Sequence, residues 1–204
     1  MSARARIGVL ALQGAFAAHA LVLERLGATV HEVRVPSDLD DCDALVMPGG
    51  ESTTMSKLLE SSAVFDPLAK RISDGMPVFG TCAGMILLAA HVSDARPDQR
   101  SFGAIDLDVQ RNAYGRQVDS FETDVGIEGF DRAFHAVFIR APRVTRVGEG
   151  VEVLARHDNV PVLVRSTTVL AASFHPELSD DDRVHALFLG LVASATGSPA
   201  RGAR

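Results

Sequence analysis

Residues Gly80-Thr81-Cys82-Ala83-Gly84 stand between two short apolar runs, Pro77-Val78-Phe79 before them and Met85 to Ala90 after them. That order predicts a strand, a sharp turn and a helix, with small residues flanking a nucleophile on the turn. An apolar strand feeding a helix belongs to a parallel sheet covered on both faces. Far downstream, His175-Pro176-Glu177 follows another apolar run, Val169 to Phe174. It supplies the base and the carboxylate that a cysteine nucleophile needs. The two segments together point to cysteine-dependent acyl transfer or hydrolysis.

The rest of the chain fits that frame. Residues 6–12 read as a buried strand and 15–26 as a helix with Phe16, Ala20, Leu23 and Leu26 on one face, closed by Gly27. Strands follow at 29–35 and 43–47, then a helix capped by Ser52 or Thr53 that carries Met55, Leu58 and Leu59, and a further helix over 63–74. The elbow strand is 77–80 and its helix 84–91. Runs near 104–110, 135–140, 151–156, 161–165 and 168–174 predict antiparallel strands added to the same sheet. The last helix, 181–195, has Val184, Leu187, Phe188 and Leu191 on one face, with Asp180, Asp181 and Asp182 at its positive end. The loop over 93–101 is polar and expected to be exposed.

A free thiol has a pKa of about 8.5, so only a small fraction is nucleophilic at neutral pH. A helix N-terminus and a neighbouring histidine both favour the thiolate of Cys82. Pro176 biases His175 toward extended backbone, where residues two apart share a side, so Glu177 can orient the imidazole. Pro48-Gly49-Gly50-Glu51-Ser52 is a third strand-to-helix loop. In a parallel sheet it lies at the same end as the elbow, where ligands bind. A backbone N–H from this glycine loop and that of Ala83 can form an oxyanion hole.

Bulk properties exclude other classes. The 204 residues fit one domain, taken as 1–196, with a basic tail over 197–204 expected to be disordered. A net charge of −6 gives no electrostatic case for nucleic acid or an anionic membrane. No apolar stretch is long enough to span a bilayer, and the N-terminus lacks the pattern of a signal peptide, so the expected location is cytoplasmic. Two cysteines make no disulfide framework, and no spacing calls for a metal site or a cofactor. Cys42, among Asp40, Asp41 and Asp43, reads as a bystander whose pKa the acids raise. The six histidines other than His175 have no partner at a readable spacing.

GTCAG with a later FHPE resembles the class I, triad-type glutamine amidotransferases. VLALQG at 9–14, PGGESTTMSKLL at 48–59, RNAYGRQVDSFE at 111–122, FIRAP at 138–142 and SFHPELSDD at 173–181 narrow the resemblance to the glutaminase subunits of pyridoxal 5′-phosphate synthase. The one visible departure, Tyr114 where the family often has Phe, is mild. The resemblance implies a three-layer α/β/α fold with a mixed, mainly parallel central sheet. It implies Cys82 as nucleophile, His175 as general acid and base, and Glu177 as its orienting partner. Gly50, Glu51, Ser52, Arg111, Ile139 and Arg140 match the family's glutamine-binding positions, and Gly50 and Ala83 its oxyanion region. Gln13 falls in a turn near that region and the subunit interface. The implied substrate is L-glutamine. The implied partner is a (β/α)8-barrel synthase subunit, with twelve glutaminase subunits around a dodecameric core and weak activity in its absence. The triad alone also fits the glutaminase of an imidazole glycerol phosphate synthase, a stand-alone cysteine hydrolase or a decayed binding module.

Overall fold

The computed structural model describes residues 4–111 and 120–197. The segment 112–117 of RNAYGRQ, Tyr114 included, and the tail from 198 onward lie outside the described residues. A seven-stranded sheet forms the centre. Its strands are β1 (Arg6–Leu10), β2 (Thr29–Val33), β3 (Ala44–Met47), β4 (Val78–Thr81), β10 (Glu152–His157), β11 (Val160–Arg165) and β12 (Val169–Ala172), in the order β10-β11-β12-β4-β3-β1-β2. From β12 to β2 all neighbours are parallel, and β10 and β11 add an antiparallel edge.

Alternation along the strands sorts their side chains onto two faces. Leu45 and Met47 of β3, Val78 of β4, and Val169 and Ala171 of β12 enter one core. It is covered by α2 (Ser52–Ser61), α3 (Phe65–Ser73) and α4 (Ala83–Leu88). Ala44 and Val46, Phe79, and Leu170 and Ala172 enter the other core, under α1 (Phe16–Arg25) and α5 (Arg183–Ala195). The layering is therefore helix, mainly parallel sheet, helix. Both faces of the central strands are apolar because both are buried.

The sequence reading departs from the structure at several points. The expected helix 84–91 stops at Leu88, and Ala89–Val92 becomes β5. Leu87, Leu88 and Ala89 are all buried, so an all-apolar run carried no periodicity to mark the break. Second, only β10 and β11 add antiparallel strands to the main sheet. Strand β6 (Ile105–Gln110) instead joins β5 and β9 (Arg143–Val147) in a separate three-stranded sheet. Strands β7 (Ser120–Val125) and β8 (Phe134–Ile139) form their own antiparallel pair. Third, Glu51 rather than Ser52 or Thr53 caps α2, its carboxylate accepting from the backbone N–H groups of Thr53 and Thr54. Fourth, the loop at 93–101 is not wholly exposed, because Gln99 tucks in to accept from Thr53 Oγ1 at 3.2 Å.

Candidate active site

Three adjacent strands deliver three pieces of one site. Strand β3 ends in Pro48-Gly49-Gly50, β4 in Cys82 and β12 in the segment leading to His175. All three lie at carboxyl ends of parallel strands, where open α/β sheets bind ligands. Cys82 holds φ 49° and ψ −105°, a strained backbone for a side-chain-bearing residue, between the last residue of β4 and the first of α4. Its own N–H is committed to the carbonyl of Ala172 at 2.8 Å. Ala83 opens α4, so no earlier helical turn uses its N–H.

The turn is close-packed around this residue. A Cβ at Gly84 would stand 2.2 Å from the carbonyl oxygen of Met47, and one at Gly80 would stand 2.6 Å from the carbonyl carbon of Gly84. Across the site, a Cβ at Gly49 would lie 2.3 Å from Cε1 of His175. The glycine loop and the imidazole are therefore in direct apposition.

His175 Nδ1 meets Glu177 Oε1 at 2.7 Å. The two do not lie on one side of an extended segment as the spacing predicts. Pro176–Leu178 forms a 3-10 turn, and that turn brings the carboxylate under the ring. The His175 N–H also donates to the carbonyl of Val137 in β8 at 2.8 Å, which ties the β7–β8 pair to the site. Burial opposes an imidazolium here, but hydrogen bonds with Cys82 and Glu177, and their negative charge, push His175 up to about 10. Burial likewise opposes the Glu177 carboxylate, yet His19 and His175 together hold it below its ordinary value.

The expected binding residues converge unevenly. Glu51 Oε1 lies 3.3 Å from an Arg111 guanidinium nitrogen. Burial raises Glu51, but hydrogen bonds from Thr54 and Thr53 outweigh it and bring it down to about 2. Ser52 is buried at the start of α2. Gln13 Oε1 accepts from the Glu51 N–H at 3.3 Å and packs against Gly50. The carbonyl of Ile139 is 3.8 Å from the Cys82 sulfur. Arg140 is exposed just after β8, with φ 45°.

Cys42 is buried away from this cluster, and burial, more than the neighbouring acids, pushes its thiol up to about 11. Sequence reasoning missed Gln99, whose Oε1 accepts from Arg111. It also missed His19 and His185, both fully buried. Their only sequence signal is position. His19 precedes Val22 and Leu23 by a helical turn, and His185 precedes Phe188 by one.

A strained cysteine at a strand-to-helix turn, with a His–Glu pair and a glycine loop beside it, is the arrangement expected of a glutamine amidotransferase. A crystal structure described as a glutamine amidotransferase superposes with a TM-score of 0.86 at 51% identity, covering 92% of this chain and 98% of the other. The chain belongs to the SNO glutamine amidotransferase family, whose profile matches residues 9–194. Among its relatives, the pyridoxal 5′-phosphate synthase subunit PdxT of Corynebacterium jeikeium is 56% identical over 187 residues, 91% of this chain and 96% of the relative. The protein of the same name from Thermosipho africanus is 52% identical over 187 residues, 92% and 98% of the two chains.

Proposed function

We propose that this chain, as one glutaminase domain, hydrolyses L-glutamine to L-glutamate and ammonia. The ammonia passes to a synthase subunit that builds pyridoxal 5′-phosphate from ribose 5-phosphate and glyceraldehyde 3-phosphate. The observation that carries this reading is Cys82 on its strained turn, within hydrogen-bond reach of His175, whose Nδ1 in turn meets Glu177 at 2.7 Å. The names of relatives more than half identical support the choice of synthase.

Cys82 gives its proton to Nε2 of His175, and the resulting thiolate attacks the side-chain carboxamide carbon. Backbone N–H groups of Gly50 and Ala83 hold the oxyanion, and losing one such donor typically costs about 2.7–4 kcal/mol of barrier. His175 then protonates the departing nitrogen, which leaves as ammonia from a γ-glutamyl thioester. Water, deprotonated by the same imidazole, attacks the thioester, releases glutamate and restores the thiol. Glu177 keeps the Nδ1 proton of His175 in place and stabilises the imidazolium without taking the proton. Glu51 and Arg111, with Gly50, Ser52, Ile139 and Arg140, bind the amino acid end of the substrate.

The partner in this reading is a (β/α)8-barrel synthase subunit, in a complex of twelve and twelve. The reading assigns the protein to the cytoplasm, in keeping with two free cysteines. Among the described residues no helix is long and apolar enough to cross a membrane.

The test separates ammonia production from ammonia use. A synthase complex assembled with Cys82→Ala makes pyridoxal 5′-phosphate from ammonium salts and none from glutamine. Glutamine-driven synthesis surviving that substitution overturns the reading. Loss of the ammonium-driven reaction in an assembled complex contradicts the division of labour.

A further inference from the structure

Two buried histidines outside the triad form a chain that ends on Thr81 and beside the triad carboxylate. His19, on α1, and His185, on α5, are both fully buried. His19 Nδ1 is 2.9 Å from His185 Nε2. On its other side, His19 Nε2 is 3.2 Å from Thr81 Oγ1 and 3.3 Å from Glu177 Oε2. Thr81 is the last residue of β4, next to Cys82. Glu177 Oε2 is buried with no aligned hydrogen bond among the described residues, since Oε1 is the atom that serves His175. Phe79 packs edge-on against both imidazoles, with centroids 6.2 Å and 5.7 Å away, and keeps the rings in place.

The proton positions follow from these contacts. Burial lowers the pKa of both His19 and His185 against the opposing pull of Glu177 on His19, which favours neutral rings that each carry one N–H. A lone pair on His19 Nε2 would face a buried carboxylate, so that nitrogen carries the proton. His19 Nδ1 then accepts, and His185 must donate from Nε2. This leaves His185 Nδ1 as a bare lone pair, and it is the ring nitrogen found without a partner. The opposite assignment would bury an unpaired N–H there and turn two acceptors toward each other at Glu177. Unpaired buried N–H groups are rare.

We propose that His19 is a positioning residue of the triad. Its Nε2–H, held by the donor from His185, bonds Thr81 Oγ1 at the strand end that carries Cys82 and stands 3.3 Å from the outer oxygen of Glu177, close enough to serve it. The arrangement keeps Glu177 ionised and fixed, so that its inner oxygen can orient His175. The charged and titratable groups facing this unit are His175 and, through it, Cys82, with His185 and Arg25 on the far side. None of them makes a hydrogen bond to Glu177 Oε2.

The proposal rests on the glutaminase reading for its activity test, and on the fold alone for its second test. With glutamine and the cognate synthase, His19→Leu lowers kcat about tenfold, the scale of one hydrogen bond to a charged group, and leaves KM within twofold. Without the donor, the buried carboxylate takes up a proton more readily, so the acid limb of kcat/KM moves to higher pH by about one unit. His19→Gln, whose amide N–H reaches as far as Nε2, restores the limb and most of kcat. An unchanged pH profile in His19→Leu, or equal losses in both variants, overturns the proposal and leaves His19 as packing. Cys82→Ala run in parallel shows separately whether the glutaminase reading itself fails. Nitrogen chemical shifts of the imidazoles in the unsubstituted chain need no variant. A neutral His19 with its proton on Nε2 is expected, and a proton on Nδ1 or a cationic ring overturns the assignment.

Discussion

His175 is held by three different contacts: a carboxylate at 2.7 Å, a backbone carbonyl at 2.8 Å and a glycine too small to displace it. Its folded pKa, pushed up from 6.5 to about 10, means the folded chain binds this proton more tightly than the unfolded one. The contacts of His175 with Cys82 and Glu177 therefore stabilise the fold fully below about pH 6.5, and that contribution is lost as pH rises through about 10. Glu177→Gln removes the negative charge that helps sustain the shift. It is expected to lower kcat on the order of 10³-fold with little change in KM, and to move the alkaline limb of kcat/KM to lower pH. A rise in KM at unchanged kcat contradicts the orienting role. Cys82, His175 and Glu177 were legible in the sequence because each sits in a local strand-to-turn pattern. His19 and His185 were not, because their contact spans 166 residues and no spacing rule reaches that far.

Among elements, the strand-to-helix turn after β4 is under the tightest steric control. Gly84→Ala drives a methyl onto the backbone of Met47, where nothing flexible can yield. It should lower stability by roughly 1–3 kcal/mol and depress activity with it. Gly190 lies inside α5 with nothing within 4 Å of a Cβ, and Gly190→Ala should raise stability by about 0.5–1 kcal/mol. Paired denaturation curves check both signs, and a neutral Gly84→Ala contradicts the packing account. Strands β1, β3 and β4 were legible because burial on both faces writes them as apolar runs, whereas β12, expected to be antiparallel, has the same pattern and pairs parallel with β4. Strands β7 and β9 were not legible. SFETDV and RVTRV are half exposed, and each holds only two apolar residues, too few for the apolar runs by which the other strands were read, although their alternation fits a strand with one wet face. The helix face expected through Phe16, Ala20, Leu23 and Leu26 is displaced because one of its buried positions is not apolar. The buried stripe runs through His19, Val22 and Leu23, and a histidine carries no apolar signal.

At the scale of the whole molecule, the central sheet brings loops distant in sequence to the carboxyl ends of its middle strands. Strands β3, β4 and β12 are neighbours, so the glycine loop, the cysteine turn and the histidine segment meet although they span residues 48 to 177. The β7–β8 pair closes over them through Val137 and Ile139. Helices α1 and α5 carry the two buried histidines to the same place from the opposite face. Arg25 on α1 and Asp182 beside α5 join those helices outside the core, with a closest approach of 2.6 Å. The glutaminase account is tested most directly by glutamate release from L-glutamine, with and without the cognate synthase subunit and with Cys82→Ala as control. It predicts hydrolysis that requires Cys82 and rises sharply when the synthase is present. Folded protein that releases no glutamate in either condition, or releases it equally well without Cys82, would contradict it.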